Sequence, residues 1–211
     1  IGAWEGVLRR PPFGPVPPKA HDMQRESDLL ERIHPFFSLA PQPYLFCNDP
    51  EIMDTPFYVM ERRKGIVLDS AFPPHIEVTP ELCRRISETM IDTLVEIHAV
   101  DWRAAGLEAF GHPTGFLERQ VASWIERYNR SKTDESPDVA SLTSWLVEHI
   151  PVSPAPTLIH NDFKLNNMLL DRHDLARPVA VLDWEMTTIG DPLFDLAISL
   201  CYWVQSDDPV E

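Results

Sequence analysis

Between positions 158 and 170 the chain sets His160, Asp162, Lys164 and Asn167 among apolar residues, and Asp183 follows sixteen positions after Asn167, just beyond a second apolar run. This spacing suits phosphoryl transfer. Mg2+ takes oxygen ligands and keeps several waters, so one carboxylate (Asp183) and one amide oxygen (Asn167) suffice beside the phosphates of ATP. A second carboxylate, Asp162, is then left to orient a hydroxyl group and accept its proton. Lys164 lies near enough in sequence to offset charge on the transferring group. His160 reads as a buried histidine that holds the loop. By itself a His-x-Asp pair is an ordinary turn whose carboxylate bonds nearby amides; the downstream Leu182-Asp183-Trp184-Glu185 separates the two readings. Metal-dependent hydrolysis by His160, Asp162 and Asp183 fits less well, because such sites use more His and carboxylate ligands per metal.

The elements that must position these groups are short. Proline supplies 21 of 211 residues, about twice the ordinary ~5%, which excludes a bundle of long helices. Residues 6–10 read as the end of a strand, 11–18 as an extended proline-rich loop, and 21–33 as an amphipathic helix. Strand-like runs follow at 44–47 and 57–60. Thr79-Pro80-Glu81 marks a helix start, with an apolar stripe from Leu82 through Ile97. Further helices are expected over 115–129, 138–150 and 191–205, with short buried strands at 157–159, 168–170 and 179–182. The architecture is thus α+β, with residues 1–64 a small mixed lobe and 65–211 a mainly helical lobe carrying a β insert.

The net charge is −15, and its distribution is uneven: eight basic residues face nine acidic ones up to Lys64, and ten face 24 beyond it. A polyanion would be repelled by that second part, so no nucleic-acid partner is expected. The longest uncharged run, 33–48, contains three prolines and is no membrane span. Three cysteines, Cys47, Cys83 and Cys201, are widely spaced in apolar settings. They read as buried thiols in a reducing cytoplasm.

With these motifs in view, the stretches 158–170, 181–185 and 190–197 (Gly-Asp-Pro-Leu-Phe-Asp-Leu-Ala) resemble the aminoglycoside phosphotransferase family of small-molecule kinases. Residues 7–12, 57–63 and 100–102 are similar to a subgroup, the kinase-like domain associated with acyl-CoA dehydrogenases. The resemblance implies a bilobal protein-kinase-like fold, ATP and Mg2+ as cofactors, and a small-molecule hydroxyl as acceptor. It implies Asp162 as the catalytic aspartate, Asn167 and Asp183 as magnesium ligands, and Asp195 as the brace of the catalytic loop. It further implies that Glu26 pairs with the phosphate-binding base and that the hinge Met60-Glu61-Arg62 reads adenine through its backbone.

Two departures accompany the resemblance. Arg9, or less favourably Arg10, stands where the family carries lysine; arginine forks onto phosphate and carboxylate but with different geometry. Ile1 to Leu8 is shorter than the family's Gly-rich hairpin requires, despite Gly2 and Gly6, and the chain ends where substrate-binding helices would continue. A fragment is therefore expected, from a parent with a fused dehydrogenase domain and with a hydroxyacyl thioester as substrate. The competing expectation is a catalytically silent binding domain that regulates a fused enzyme.

Overall fold

The computed structural model describes residues 4–14, 21–69, 71–133, 136 and 138–203. Strand β1 (Gly6–Arg9) is followed by helix α1 (Met23–Ile33), and the chain returns through β2 (Pro43–Cys47) and β3 (Phe57–Glu61). The three strands form one antiparallel sheet in the order β1-β3-β2. Asp22 caps α1 by accepting from the Arg25 amide at 3.0 Å. The buried face of α1 carries Met23, Leu29, Leu30 and Ile33, as its spacing predicts, but also a glutamate, Glu26, at 1% exposure. An apolar stripe interrupted by one buried carboxylate implies a partner on a neighbouring element.

Helix α2 (Pro80–His98) starts where the sequence places it, with Thr79 Oγ1 accepting from the Leu82 amide at 3.2 Å and proline in the first turn. It buries Ile86, Met90, Leu94 and Ile97. Each such side chain stabilises the fold by roughly 1.5–3 kcal/mol, and truncating one to alanine costs about 2–5 kcal/mol. Helices α3 (Phe116–Ser131) and α4 (Ala140–Glu148) pack on each other, and of the two only α3 contributes a buried residue, Phe116.

Four short strands then build the insert: β4 (Thr157–Ile159), β5 (Met168–Leu170), β6 (Pro178–Val181) and β7 (Thr188–Gly190). β5 pairs with β6 as a hairpin, whereas β4 pairs with β7, a strand the sequence reading did not foresee. Its Thr-Ile-Gly sequence holds one large apolar residue, too little to announce a strand beside the apolar runs of β4 and β5. Helix α5 (Pro192–Leu200), capped by Asp191, closes the described chain. It is shorter than the expected 191–205, of which 204 and 205 lie outside the described residues; so do 15–18 of the proline-rich loop and Gly2. The cysteines also differ from expectation. Cys47 and Cys83 are half-buried and Cys201 is exposed, because they fall on a partly open strand, the first turn of α2 and the end of α5 rather than in the core.

One continuous apolar cluster runs from Met23 on α1 to Ile189 on β7. The chain crosses from the first sheet to the insert at Gly65 and Ile66, where Ile66 exchanges two backbone hydrogen bonds with Leu170 (2.7 and 2.8 Å). A Cβ at Gly65 would lie 2.8 Å from the Leu170 carbonyl oxygen, so the crossing needs glycine. No helix among the described residues is long and apolar enough to cross a membrane.

Candidate active site

The loop that leaves β4 is held by its backbone. Asp195, fully buried on the first turn of α5, accepts from the amides of His160 (2.8 Å) and Asn161 (2.7 Å) and from His98 Nε2 (3.0 Å). Asn161 adopts a left-handed conformation (φ 66°), which asparagine tolerates better than most residues. His160 is fully buried between Phe163 and Trp184. Its Nε2 lies 3.0 Å from the Leu182 carbonyl oxygen, which fixes the proton on Nε2 and leaves Nδ1 without a hydrogen-bond partner. Burial pushes its pKa below the ordinary value against the pull of Asp195, so the ring is neutral and structural.

Beyond this clamp the loop turns Asp162 toward Lys164 and Asn167. Asp162 Oδ1 accepts from Lys164 Nζ at 3.0 Å and from the Tyr202 hydroxyl at 2.9 Å; Oδ2 accepts from Asn167 Nδ2 at 3.1 Å. Asn167 Nδ2 also bonds the Asp162 carbonyl at 2.8 Å. With the amide nitrogen so engaged, Asn167 Oδ1 is its oxygen left for a ligand. The Asn167 carbonyl accepts from the Leu182 amide at 2.8 Å, continuing the β5–β6 ladder and bringing Asp183 to the same hairpin end.

Asp183 also takes a left-handed conformation (φ 67°, ψ 61°) before the 3-10 turn Trp184–Met186. A strained backbone at a functional carboxylate is held by its surroundings. Here Arg25, from α1, donates to the carbonyls of Glu185 (3.1 Å) and Thr187 (2.6 Å), while Trp184 is buried with its indole N–H on Val181. Arg9 reaches across from β1 and forks, with Nε on Glu26 at 2.8 Å and a terminal nitrogen on Asp183 Oδ1 at 2.5 Å. Glu185 stands 3.8 Å from the same nitrogen and 2.6 Å from His21.

Burial opposes the charge on Arg9, but Glu26 first, then Tyr58 and Asp183, outweigh it and raise its pKa. Burial also dominates at Glu26; Arg9 offsets it only in part, with Asp183 and Glu185 adding to it, and the carboxyl is pushed up to about 6. The pair therefore keeps Arg9 charged while Glu26 stays easier to protonate than an exposed carboxylate. Arg9, Glu26, Tyr58, Met60 and Asp183 line a cavity of about 400 Å³ between the first sheet and the hairpin.

Of the expected site residues, Arg9, Glu26 and Asp183 are brought into direct contact, as are Asp162, Lys164 and Asn167; Asp195 and His160 lie behind the second group. Met60 lines the cavity, but Glu61 and Arg62 do not. The Glu61 amide donates to the Gln42 carbonyl at 2.8 Å, Glu61 pairs with Arg63, and Arg62 pairs with Glu5. Arg10 faces Phe13 instead of the cavity carboxylates, which leaves Arg9 as the cross-lobe base.

The model of a phosphotransferase enzyme family matches residues 2–211. The chain belongs to that phosphotransferase family. Among curated proteins it is 36% identical over 205 residues to mouse acyl-CoA dehydrogenase family member 10, covering 97% of this chain but 19% of that protein. It thus spans about a fifth of that relative's length. A solved structure from Ralstonia eutropha, assigned to the aminoglycoside phosphotransferases, superposes with a TM-score of 0.79 at 27% identity, covering 99% of this chain and 68% of that one. A thermostable aminoglycoside phosphotransferase variant solved with ADP and hygromycin B shares the fold at a TM-score of 0.57 and 19% identity, covering 82% of this chain and 60% of that one. The fold is accordingly the bilobal, protein-kinase-like one.

For a phosphotransferase the donor set can be tested against a hard cation. Among the described residues no three His, Cys, Asp or Glu side chains group as a metal cluster. Asn167 Oδ1 and the Asp183 carboxylate are oxygen donors at one hairpin end, and Mg2+ needs few protein ligands of that kind; the residues fit. Sequence reasoning missed His98, Arg25, His21 and Tyr202. His98 falls in the last turn of a helix read only for its apolar stripe, and Arg25 looks like an ordinary solvated charge. No local signal marks Tyr202.

Proposed function

We propose that this chain is the catalytic body of an ATP- and Mg2+-dependent kinase that phosphorylates a hydroxyl group of a small molecule. The observation that carries this reading is the meeting of Asp162, Asn167 and Asp183 at one end of the β5–β6 hairpin. Asp162 orients the acceptor hydroxyl and takes its proton, with Lys164 beside it to offset charge on the transferring group. Arg9, held by Glu26, holds the nucleotide's phosphates, and Met60 at the hinge flanks the base. Asn167 and Asp183 would hold Mg2+, which when bound neutralises phosphate charge. His160 and Asp195 act through the loop as positioning residues.

Residues 1–64 form the small lobe and hinge of this unit and 65–211 the larger lobe. The mouse relative's name supports a fused dehydrogenase domain in the parent protein and a hydroxyacyl thioester as acceptor, and three unpaired thiols support a reducing, cytoplasmic compartment. ADP release from ATP·Mg2+ with a panel of small hydroxyl compounds, hydroxyacyl thioesters included, tests the reading. Asp162→Ala should reduce transfer by about 100- to 10,000-fold; activity retained within about tenfold would remove Asp162 from its role.

A second reading, a silent kinase-like regulatory domain, is favoured by one observation: Arg9 already occupies Asp183, while Lys164 and Tyr202 occupy Asp162. Thermal-shift titration separates the two. Stabilisation by ATP that grows with Mg2+ supports the kinase; no metal-dependent shift supports the silent domain.

A further inference from the structure

Asp195 and Tyr202 are seven residues apart, two helical turns, and so share one face of α5 and its terminal turn. Both grip the same loop. Asp195 holds the amides of residues 160 and 161, and the Tyr202 hydroxyl holds the carboxylate of the next residue, Asp162, at 2.9 Å. The turn is itself fixed, with the amides of Cys201 and Tyr202 donating to the carbonyls of Ala197 and Ser199 at 3.2 and 3.3 Å. Tyr202 is thus placed by the element that braces the loop. Lys164 Nζ lies 4.7 Å from the centre of its ring, and the ring is half exposed.

We propose that Tyr202 is an internal phosphoryl acceptor, its hydroxyl bonded to Asp162 as the acceptor alcohol would be, so that the protein phosphorylates itself there from a nucleoside triphosphate. The inference rests on the kinase reading above. The phenol oxygen attacks the γ-phosphorus and forms a new P–O bond. The bond from that phosphorus to the β–γ bridging oxygen breaks, and its electron pair leaves with the nucleoside diphosphate. The phenolic proton passes to Asp162 and then to solvent. A phenol ionises more readily than any sugar or acyl-chain alcohol, so it asks less of the same carboxylate. The hydrogen bond to Asp162 raises the Tyr202 pKa, keeping the hydroxyl protonated and donating until transfer. The product phosphate would lie beside the Lys164 ammonium, which offsets its charge.

The test incubates the chain with ATP and Mg2+ and follows ADP release, intact mass and the position of any phosphate by peptide mapping. The expected result is one phosphoryl group on Tyr202, appearing at a first-order rate independent of protein concentration and lost in both Tyr202→Phe and Asp162→Asn. Matching melting curves for both variants establish that they fold. ADP release without phosphate on Tyr202 overturns the proposal and leaves the kinase reading standing. Phosphotyrosine that forms faster per molecule at higher protein concentration also overturns it, because the geometry demands transfer within one chain. Neither ADP nor phosphoprotein in the absence of an added acceptor overturns the self-phosphorylation, and the kinase reading falls with it only if ADP release is also missing with the panel of hydroxyl compounds.

Discussion

On the loop side of the site, Asp195 grips two consecutive backbone amides and a histidine while wholly buried, so the loop's path is set whatever side chains it carries. On the cavity side, Arg9, Glu26 and Asp183 meet through side chains alone, from a strand, a helix and a strained turn. The first arrangement shields full hydrogen bonds from water and has no alternative partners. The second is partly open, with Arg9 at 27% and Asp183 at 33% side-chain exposure, and its central arginine has three carboxylates within 4 Å. One side is a fixture and the other an adjustable junction. Under the kinase proposed above, this division would let one carboxylate stay aimed while another exchanges its partner for an incoming cation.

The comparison breaks first if Asp195 is dispensable. Asp195→Ala strands two buried amides and His98, and should cost about 3–5 kcal/mol, read as a lowered urea midpoint at unchanged slope. Arg9→Met should cost less, about 2 kcal/mol at neutral pH, since Arg9 is partly solvated. Its loss should shrink in acid, where Glu26 protonates and needs no partner. Arg9→Lys should fall between wild type and Arg9→Met, because a single ammonium cannot fork onto Glu26 and Asp183 together.

Glu26 sharpens the contrast through pH. Its folded pKa of about 6 lies above the ordinary value of 4.5. Its contribution to stability is therefore fully present below about 4.5 and is lost as the pH rises through about 6, a swing of roughly 2 kcal/mol. Glu26→Gln should flatten the urea-measured stability profile across that window; an unchanged profile would mean that the carboxyl is not the buried, partly neutral group described. The smallest effect is expected at Asn161. Asn161→Gly should stay within about 1 kcal/mol of wild type, whereas Asn161→Ala should lose about 1–2 kcal/mol to the left-handed backbone.

Much of the frame could be read in advance, for reasons local to each segment. Thr79 and Pro80 announce α2 because an N-cap hydroxyl and a proline act within one turn. β5 and β6 announce themselves as apolar runs split by a charged turn. The loop carrying Asp162 and Asn167 is legible for the same reason: its polar residues are consecutive and bounded by strands. β7 escaped because its Thr-Ile-Gly holds a single large apolar residue where the equally short β4 and β5 are apolar runs, and its partner β4 lies some thirty positions upstream. Glu26 could be placed on a helix but not inside the protein. Its burial depends on Arg9, 17 residues away and on another element.

The sequence by itself determined which residue types could do the chemistry and where the helices and most strands begin. The tertiary structure alone decided that Arg9 and not Arg10 turns to the carboxylates, that His98 joins Asp195 beneath the loop, and that Tyr202 closes on Asp162. Caps and periodicities act over a few bonds and leave their mark on neighbouring letters. Charge pairing across the cleft depends on distances that exist only once β1, the β5–β6 hairpin and α5 have packed against each other.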